Sequence, residues 1–444
     1  MTTKDRLGLI LSGASDAGRD HYETALTQFQ CYIGDPVASV DAAIKTDPGF
    51  VMAHVLKAYL HLMGTEPAAL PVARACLADA LKGDATPREC GHIAAIDHLI
   101  AGRWHAASRV LEDIAINNPS DILALQVGHL IDFFTGRSRL LRDRIARAIG
   151  SWDDTMPGYH VMLGMYAFGL EETGHYGRAE AIGRKGVELN PRDGWAQHAV
   201  AHVMEMQGRT RDGIAWMTDN ADSWSQDSFF SVHNWWHLAL YHLENEDINA
   251  VLDLYDGPIN GGKSGVIMEM IDASALLWRL HLRGIDVGDR WQDLVAKWEP
   301  VATAGNYAFN DLHAAMACVG AGKTGLADSI LDAQEGAMRR KDDNARFTGD
   351  VGNALTKGVL AFGTGDYART IELLRPVRDS AHQFGGSHAQ RDIIDLTLIE
   401  ASLRGGNQNL ARALASERRE NRPESPLSLL FARRAEAAGH YKAA

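Results

Sequence analysis

The sequence lacks the features that mark membrane-spanning, secreted and nucleic-acid-binding proteins. No apolar stretch approaches the run of about eighteen residues that a bilayer-spanning helix requires, so no membrane partner is expected. Only 4 cysteines occur in 444 residues (Cys31, Cys76, Cys90 and Cys318), and none has CxxC spacing. A disulfide framework and a zinc knuckle are both excluded, and reduced thiols of a cytosolic protein are expected. Positive charge is in deficit: 44 lysines and arginines stand against 57 aspartates and glutamates, a net charge of -13. Phosphate backbones demand the opposite balance, so no nucleic-acid partner is expected. The opening MTTKDRLGLILSGAS carries an apolar patch too short for a secretory signal. Phosphate loops, the dinucleotide-binding glycine fingerprint and the G-x-S-x-G nucleophile elbow are missing, which leaves no nucleotide or flavin motif. A soluble, acidic, cytoplasmic protein remains.

What is present is a repeat. GHYGRAEAIGRKGVELNP (174–191) spaces Gly174, Ala179, Gly186 and Pro191 as GRWHAASRVLEDIAINNP (102–119) spaces Gly102, Ala107, Ile114 and Pro119. Gly136 follows Gly102 by thirty-four residues, and Gly208 follows Gly174 by thirty-four. The glycine ends one helix and permits a tight turn, small residues let the next helix approach its partner, and the proline stops it. This skeleton resembles a tetratricopeptide repeat. The register predicts repeats over 88–121, 122–155, 160–193, 194–227 and 232–265, with later ones around 320–331, 363–374 and 404–415. A degenerate N-terminal repeat ends its second helix at Pro48 in AIKTDP, and DGPINGGKSG (256–265) reads as a loop. The expected fold is all-α, a single continuous tetratricopeptide-like α-solenoid over 1–444, whose stacked antiparallel helix pairs curve into a superhelix with a concave face.

Histidines cluster on that predicted face. QHAVAHVMEMQG (197–208) spaces His198, His202 and Glu205 along one helical stripe, and HNWWHLALYHLE (233–244) sets His233 and His237 four apart. With Gly208 as the turn glycine, the inward positions of its repeat are Trp195, His198, His202 and Glu205. In the next repeat His233 and Trp236 face inward and His237 borders them, while His242 lies on another face. Three readings stay open. The first is a metal site with His198, His202 and Glu205 as candidate ligands of a divalent cation. The second is metal-free acid–base catalysis with Glu205 orienting a histidine. The third is a set of histidines satisfied by buried hydrogen bonds.

Two later segments are candidates to join the cluster. FNDLHAAMAC (309–318) places Asp311 two residues before His313. In GGSHAQRDIID (385–395), Ser387 and Gln390 form a capping-box pattern, which predicts a helix start there. His388, Arg391 and Asp392 would then sit in its first turn, suited to an anion or carboxylate. Trp278, Trp291 and Trp298 fall on helical periodicity and read as core, Trp104 reads as structural, and RRKDDNAR (339–346) reads as a solvated loop.

The strings LNPRDGWAQHAVAHVMEMQGR (189–209), HNWWHLALYHLE (233–244), MIDASALLWRLHLRGIDVGDRW (270–291), FNDLHAAMA (309–317) and GGSHAQRD (385–392) make the chain resemble the tetratricopeptide repeat protein 38 family. That resemblance implies an architecture and names no reaction, yet its distinctive strings coincide with the histidine-bearing segments. The resulting expectation is a concave cavity that binds a small organic substrate. His198, His202, Glu205, His233, His237 and His388 would be its catalytic groups, for hydrolytic or proton-transfer chemistry. Trp195, Trp235, Trp236, Asp311, His313 and Arg391 would contact substrate. A divalent metal is an option as cofactor and a homo-oligomer an option for assembly. The alternative is a peptide- or protein-binding scaffold without catalysis.

Overall fold

A computed structural model describes residues 3–440; the two residues before and the four after, which the expected span of 1–444 includes, lie outside the described residues. Among the described residues the only β pairing is two isolated bridges, Lys4 with Ile10 and Ile33 with Ser228, and the fold is all-α. The chain divides into two compact units, Met1–Val203 with Asn220–Ser231, and Met204–Asp219 with Val232–Ala444.

The first unit is a series of antiparallel helix pairs. Asp16–Cys31 pairs with Pro36–Thr46, and Val51–Leu62 with Ala69–Ala80. The pairs Pro87–Ile100 and Trp104–Asn117, Ile122–Phe134 and Ser138–Ala148, and Tyr159–Glu171 and Tyr176–Leu189 come next in chain order. Their starts are local chemistry: Thr86 and Glu89 close a reciprocal capping box with Pro87 at the first helical position, and the Asp121 carboxylate accepts from the Ala124 N–H. The turns between partners need a left-handed residue, and Gly102, Gly136 and Gly174 supply φ of 70°, 64° and 78°. Pro48 lies two residues past the helix Pro36–Thr46, as the AIKTDP pattern predicts.

Close approach inside this unit has a polar example. Arg144 and Asp132, both fully buried, pair at 2.8 Å from Nε to Oδ2, and Arg144 Nη2 also donates to Ser108 Oγ at 2.8 Å. The guanidinium occupies the space that a side chain at residue 128 would fill: a Cβ on Gly128 would stand 2.6 Å from Arg144 Cζ. Because both ends of the arginine are tied, it has nowhere to retreat.

The second unit continues the pattern, from Thr210–Thr218 through Ser231–Glu244 with Ile248–Leu254 and Ile267–Leu282 with Arg290–Trp298. It ends with Ala308–Ala321 and Thr324–Met338, Asn353–Gly363 and Tyr367–Leu374, His388–Arg404 and Gln408–Asn421, and the last helix Pro426–His440. Here a contact distant in sequence joins the regular pairs. Ile267–Leu282 packs on His388–Arg404, where Trp278 Nε1 donates to Thr397 Oγ1 at 2.9 Å and Arg279 Nη2 to the Ala389 carbonyl at 2.8 Å. Trp278, Trp291 and Trp298 are core, as their periodicity predicts, and Trp104 is half-buried.

Two expected loops are partly helical. DGPINGGKSG opens within one wide π-turn, Tyr255–Ile259, in which Gly257 leaves helical geometry and the Asn260 N–H reaches the Tyr255 carbonyl at 2.8 Å. In RRKDDNAR, Asp342 caps a short helix, Asp343–Phe347, by accepting from the Ala345 N–H. A local acid thus converts a charge run into a helix start.

Substituting Gly128→Ala is expected to lower stability by about 1–3 kcal/mol through overpacking against the fixed guanidinium. Gly177→Ala, in an open helical position with nothing near the added carbon, should be neutral or add about 0.4–1 kcal/mol. Urea titration of the two variants beside the parent checks both.

Candidate functional site

The helix Ser231–Glu244 turns His233, Trp236 and His237 along one stripe. His237 is fully buried and its Nδ1 lies 2.9 Å from Glu205 Oε2; His233 is half-buried and its Nδ1 lies 2.9 Å and 3.0 Å from the Asp272 oxygens. An ionised carboxylate only accepts, so each Nδ1 carries the hydrogen and each Nε2 the lone pair. The two imidazole centroids are 4.9 Å apart, Trp236 stacks on His233 at 5.4 Å, and the Arg279 guanidinium sits 5.2 Å over the Trp236 ring. Burial, reinforced by His233 and Arg279, drives the His237 pKa well below its ordinary value of 6.5, so its imidazole is neutral.

Glu205 also lines a cavity within the second unit. Arg279, Asp392 and Arg422 join it as polar lining, with Leu240, Leu243, Leu427 and Phe431 as apolar walls. Its volume is about 40 Å3, room for about three waters on the measure in which one needs about 10–15 Å3. Burial pulls Arg279 down to about 10 despite the nearby Asp392 and Glu205 carboxylates. Burial pushes the Asp392 carboxyl up, but Arg418 and Arg422 outweigh it and hold it well below the usual carboxylate range. Arg418 fixes Asp392 with two bonds, Nη1 to Oδ1 at 2.5 Å and Nη2 to Oδ2 at 3.0 Å. The lining therefore offers fixed charges of both signs beside a dry wall.

Other candidates in this unit are placed elsewhere. Asp311 and His313 are both buried on Ala308–Ala321 but, two positions apart on a helix, do not face each other. His313 Nδ1 donates to the Phe309 carbonyl at 2.8 Å, and Asp311 Oδ2 accepts from Gln334 Nε2 at 3.3 Å. The capping box at Ser387 and Gln390 forms as its pattern predicts, and His388–Arg404 starts there. His388 is exposed at the first helical position, and Arg391 donates to the Gly386 carbonyl. Trp235 is half-buried, one residue off the stripe. His242 pairs with Asp247 at 3.2 Å on the exposed side.

His198, His202 and Trp195 belong to the first unit and are buried there. The two imidazoles meet at 4.3 Å between centroids. Phe168 covers them at 5.3 Å and 5.2 Å, Trp195 lies 5.1 Å from His198, and Tyr32 stacks on Trp195 at 5.7 Å. In this unit His202 meets Glu171 and Glu172; Glu171 Oε2 lies 3.6 Å from His202 Nδ1. Sequence reasoning missed Glu171, Glu172, Asp272 and Arg279. A signal existed for Glu171: it precedes the turn glycine Gly174 by three residues, as Glu205 precedes Gly208.

No family model matches the sequence. Among solved structures, the chain is similar to a monomeric mutant of IFIT1 determined with Gppp-AAAA, at 13% identity and a TM-score of 0.41 over 96% of each chain. It is also similar to yeast Tom70, at 14% identity and a TM-score of 0.34 over 92% of this chain and 85% of that one. Among the described residues no helix is long and apolar enough to cross a membrane.

The buried pair on Ala308–Ala321 sets a pH test. Burial lowers His313 from 6.5 to about 4, so between these values the unfolded chain binds a proton that the folded one refuses, and stability is lost as pH falls. Burial raises Asp311 from 3.8 to about 7, so the folded chain keeps a proton that the unfolded one releases, and stability is lost as pH rises. The two slopes, each about 1.4 kcal/mol per pH unit, oppose each other from pH 4 to 6.5. Relative to the parent, His313→Gln should make stability fall more steeply as pH rises through this window, and Asp311→Asn should do the reverse. Urea midpoints measured across the window check both signs.

Proposed function

We propose that this chain is a small-molecule-binding enzyme built on helix pairs of the tetratricopeptide type, related to the tetratricopeptide repeat protein 38 family by the motifs it resembles. Its chemistry is proton transfer or hydrolysis at the two histidine–carboxylate dyads of the second unit. The observation that carries the reading is the pair His237–Glu205 and His233–Asp272, with their rings 4.9 Å apart. Each carboxylate fixes the tautomer of its imidazole and leaves Nε2 as the group that takes a proton. Two imidazolium ions this close repel, and burial keeps His237 neutral.

Supporting chemistry surrounds the dyads. Arg279, held over Trp236, brings a permanent positive charge beside the site, suited to a developing oxyanion. The cavity beside Glu205 sets charged groups among apolar walls and is large enough for water, which hydrolysis or hydration consumes. The four cysteines are unpaired thiols, which suits a cytoplasmic setting. His198, His202, Trp195, Trp235, Asp311, His313, His388 and Arg391 have no part in this reading.

Incubating the full chain with a small-metabolite extract and following which compounds are consumed tests the proposal. Glu205→Gln and His237→Gln should slow consumption by about 100- to 10,000-fold, the usual worth of a positioned acid or base, while His242→Gln leaves it unchanged. Consumption that persists unaltered in both dyad variants, or no consumption by the parent, would instead support a peptide- or protein-binding array without catalysis.

A further inference from the structure

The first unit holds a second group of ligating side chains, sharing no residue with the dyads. Glu171 and Glu172 end the helix Tyr159–Glu171, and His202 faces them from Gly194–Met206. All three are buried, and one ligand atom from each lies within 4.8 Å of the other two. The donor set is two carboxylate oxygens and one imidazole nitrogen, a combination that zinc and its first-row neighbours accept.

The geometry and the electrostatics agree. His202 Nδ1 and Glu171 Oε2 stand 3.6 Å apart, too far for a good hydrogen bond. Two donors each about 2.1 Å from a tetrahedral ion would be separated by about 3.4 Å, close to that spacing. Two adjacent carboxylates at the end of a helix sit at the negative pole of its dipole, where their mutual repulsion favours a cation between them. Ser138 Oγ donates to Glu172 Oε2 at 3.1 Å, an outer contact of the kind that orients a metal-binding carboxylate. Phe168, in contact with His202 at 5.2 Å, supplies an apolar wall on the imidazole side.

We infer that Glu171, Glu172 and His202 form a binding site for one divalent transition cation. Three protein donors fill three positions of a tetrahedral shell and leave the fourth to water or a ligand. Imidazole selects against calcium, and the order of stability places Zn2+ ahead of Mn2+.

Calorimetric titration of the full chain, stripped with a chelator, with Zn2+ alone, Mn2+ alone and Ca2+ alone tests the site. One Zn2+ per chain is expected, with Mn2+ weaker and Ca2+ silent. Glu172→Gln should weaken Zn2+ by more than about 100-fold, beyond the loss usual for an outer contact. Ser138→Ala, which leaves all three donors in place, should weaken it by about 10-fold and keeps the test decisive if Glu172→Gln fails to fold. Absence of saturable Zn2+ binding in the parent, or equal affinity in parent and Ser138→Ala, overturns the assignment.

Discussion

A turn that only a left-handed residue can make governs this architecture. Gly102, Gly136, Gly174 and Gly208 all adopt positive φ, and each closes the first helix of a pair fourteen or fifteen residues after its start. Once that length is set, every inward position repeats, and the residue three before the glycine comes to the same place in its own pair. Glu171 and Glu205 hold that place in successive repeats. One meets His202 and the other meets His237. The repeat thus presents a carboxylate to an imidazole twice, with different neighbours setting what each pair can do.

Burial then decides the chemistry. Removing a charge from water is expensive unless an opposite charge or a hydrogen bond replaces the lost hydration. Asp132 meets it with a tethered arginine, Arg144, and Asp392 with the bidentate Arg418, which holds its carboxyl well below the usual carboxylate range. His313 and Asp311 answer it by becoming neutral, one losing a proton and the other keeping it. His237 takes an intermediate course: it is neutral, yet its Nδ1 hydrogen remains directed at a carboxylate. The same physical penalty yields a structural ion pair, a silent polar residue and a neutral imidazole held by a carboxylate.

Local signals were legible in the sequence because their partners are close in the chain. The turn glycines, the Ser387–Gln390 capping box and the core tryptophans follow from spacing alone. The helical stripe also indicated that Trp195, His198, His202, His233 and His237 leave the solvent-facing side, although His233 retains partial exposure. Partner identity was not legible. A period identifies a face, but Asp272 reaches His233 from another helix pair, and Arg279 reaches Ala389 across more than a hundred residues. Asp311 and His313 are close in sequence, but the helix turns them apart. His388 is exposed for a similar reason: the capping box beside it uses Ser387 and Gln390.

The cavity beside Glu205 takes one side from the beginning of its unit and another from Leu427 and Phe431 in the final helix. Ser425, just before that helix, donates to Glu244 at 2.8 Å and ties the closing segment down. Synthesis on the ribosome delivers these parts in order, so Glu205, Arg279 and Asp392 emerge well before the apolar cover that dries them. Between the emergence of Glu205 and that of Leu427, the growing chain carries these polar groups without their full apolar cover. The low-dielectric environment on which the Glu205 cavity depends is complete only once the helix from Pro426 is in place.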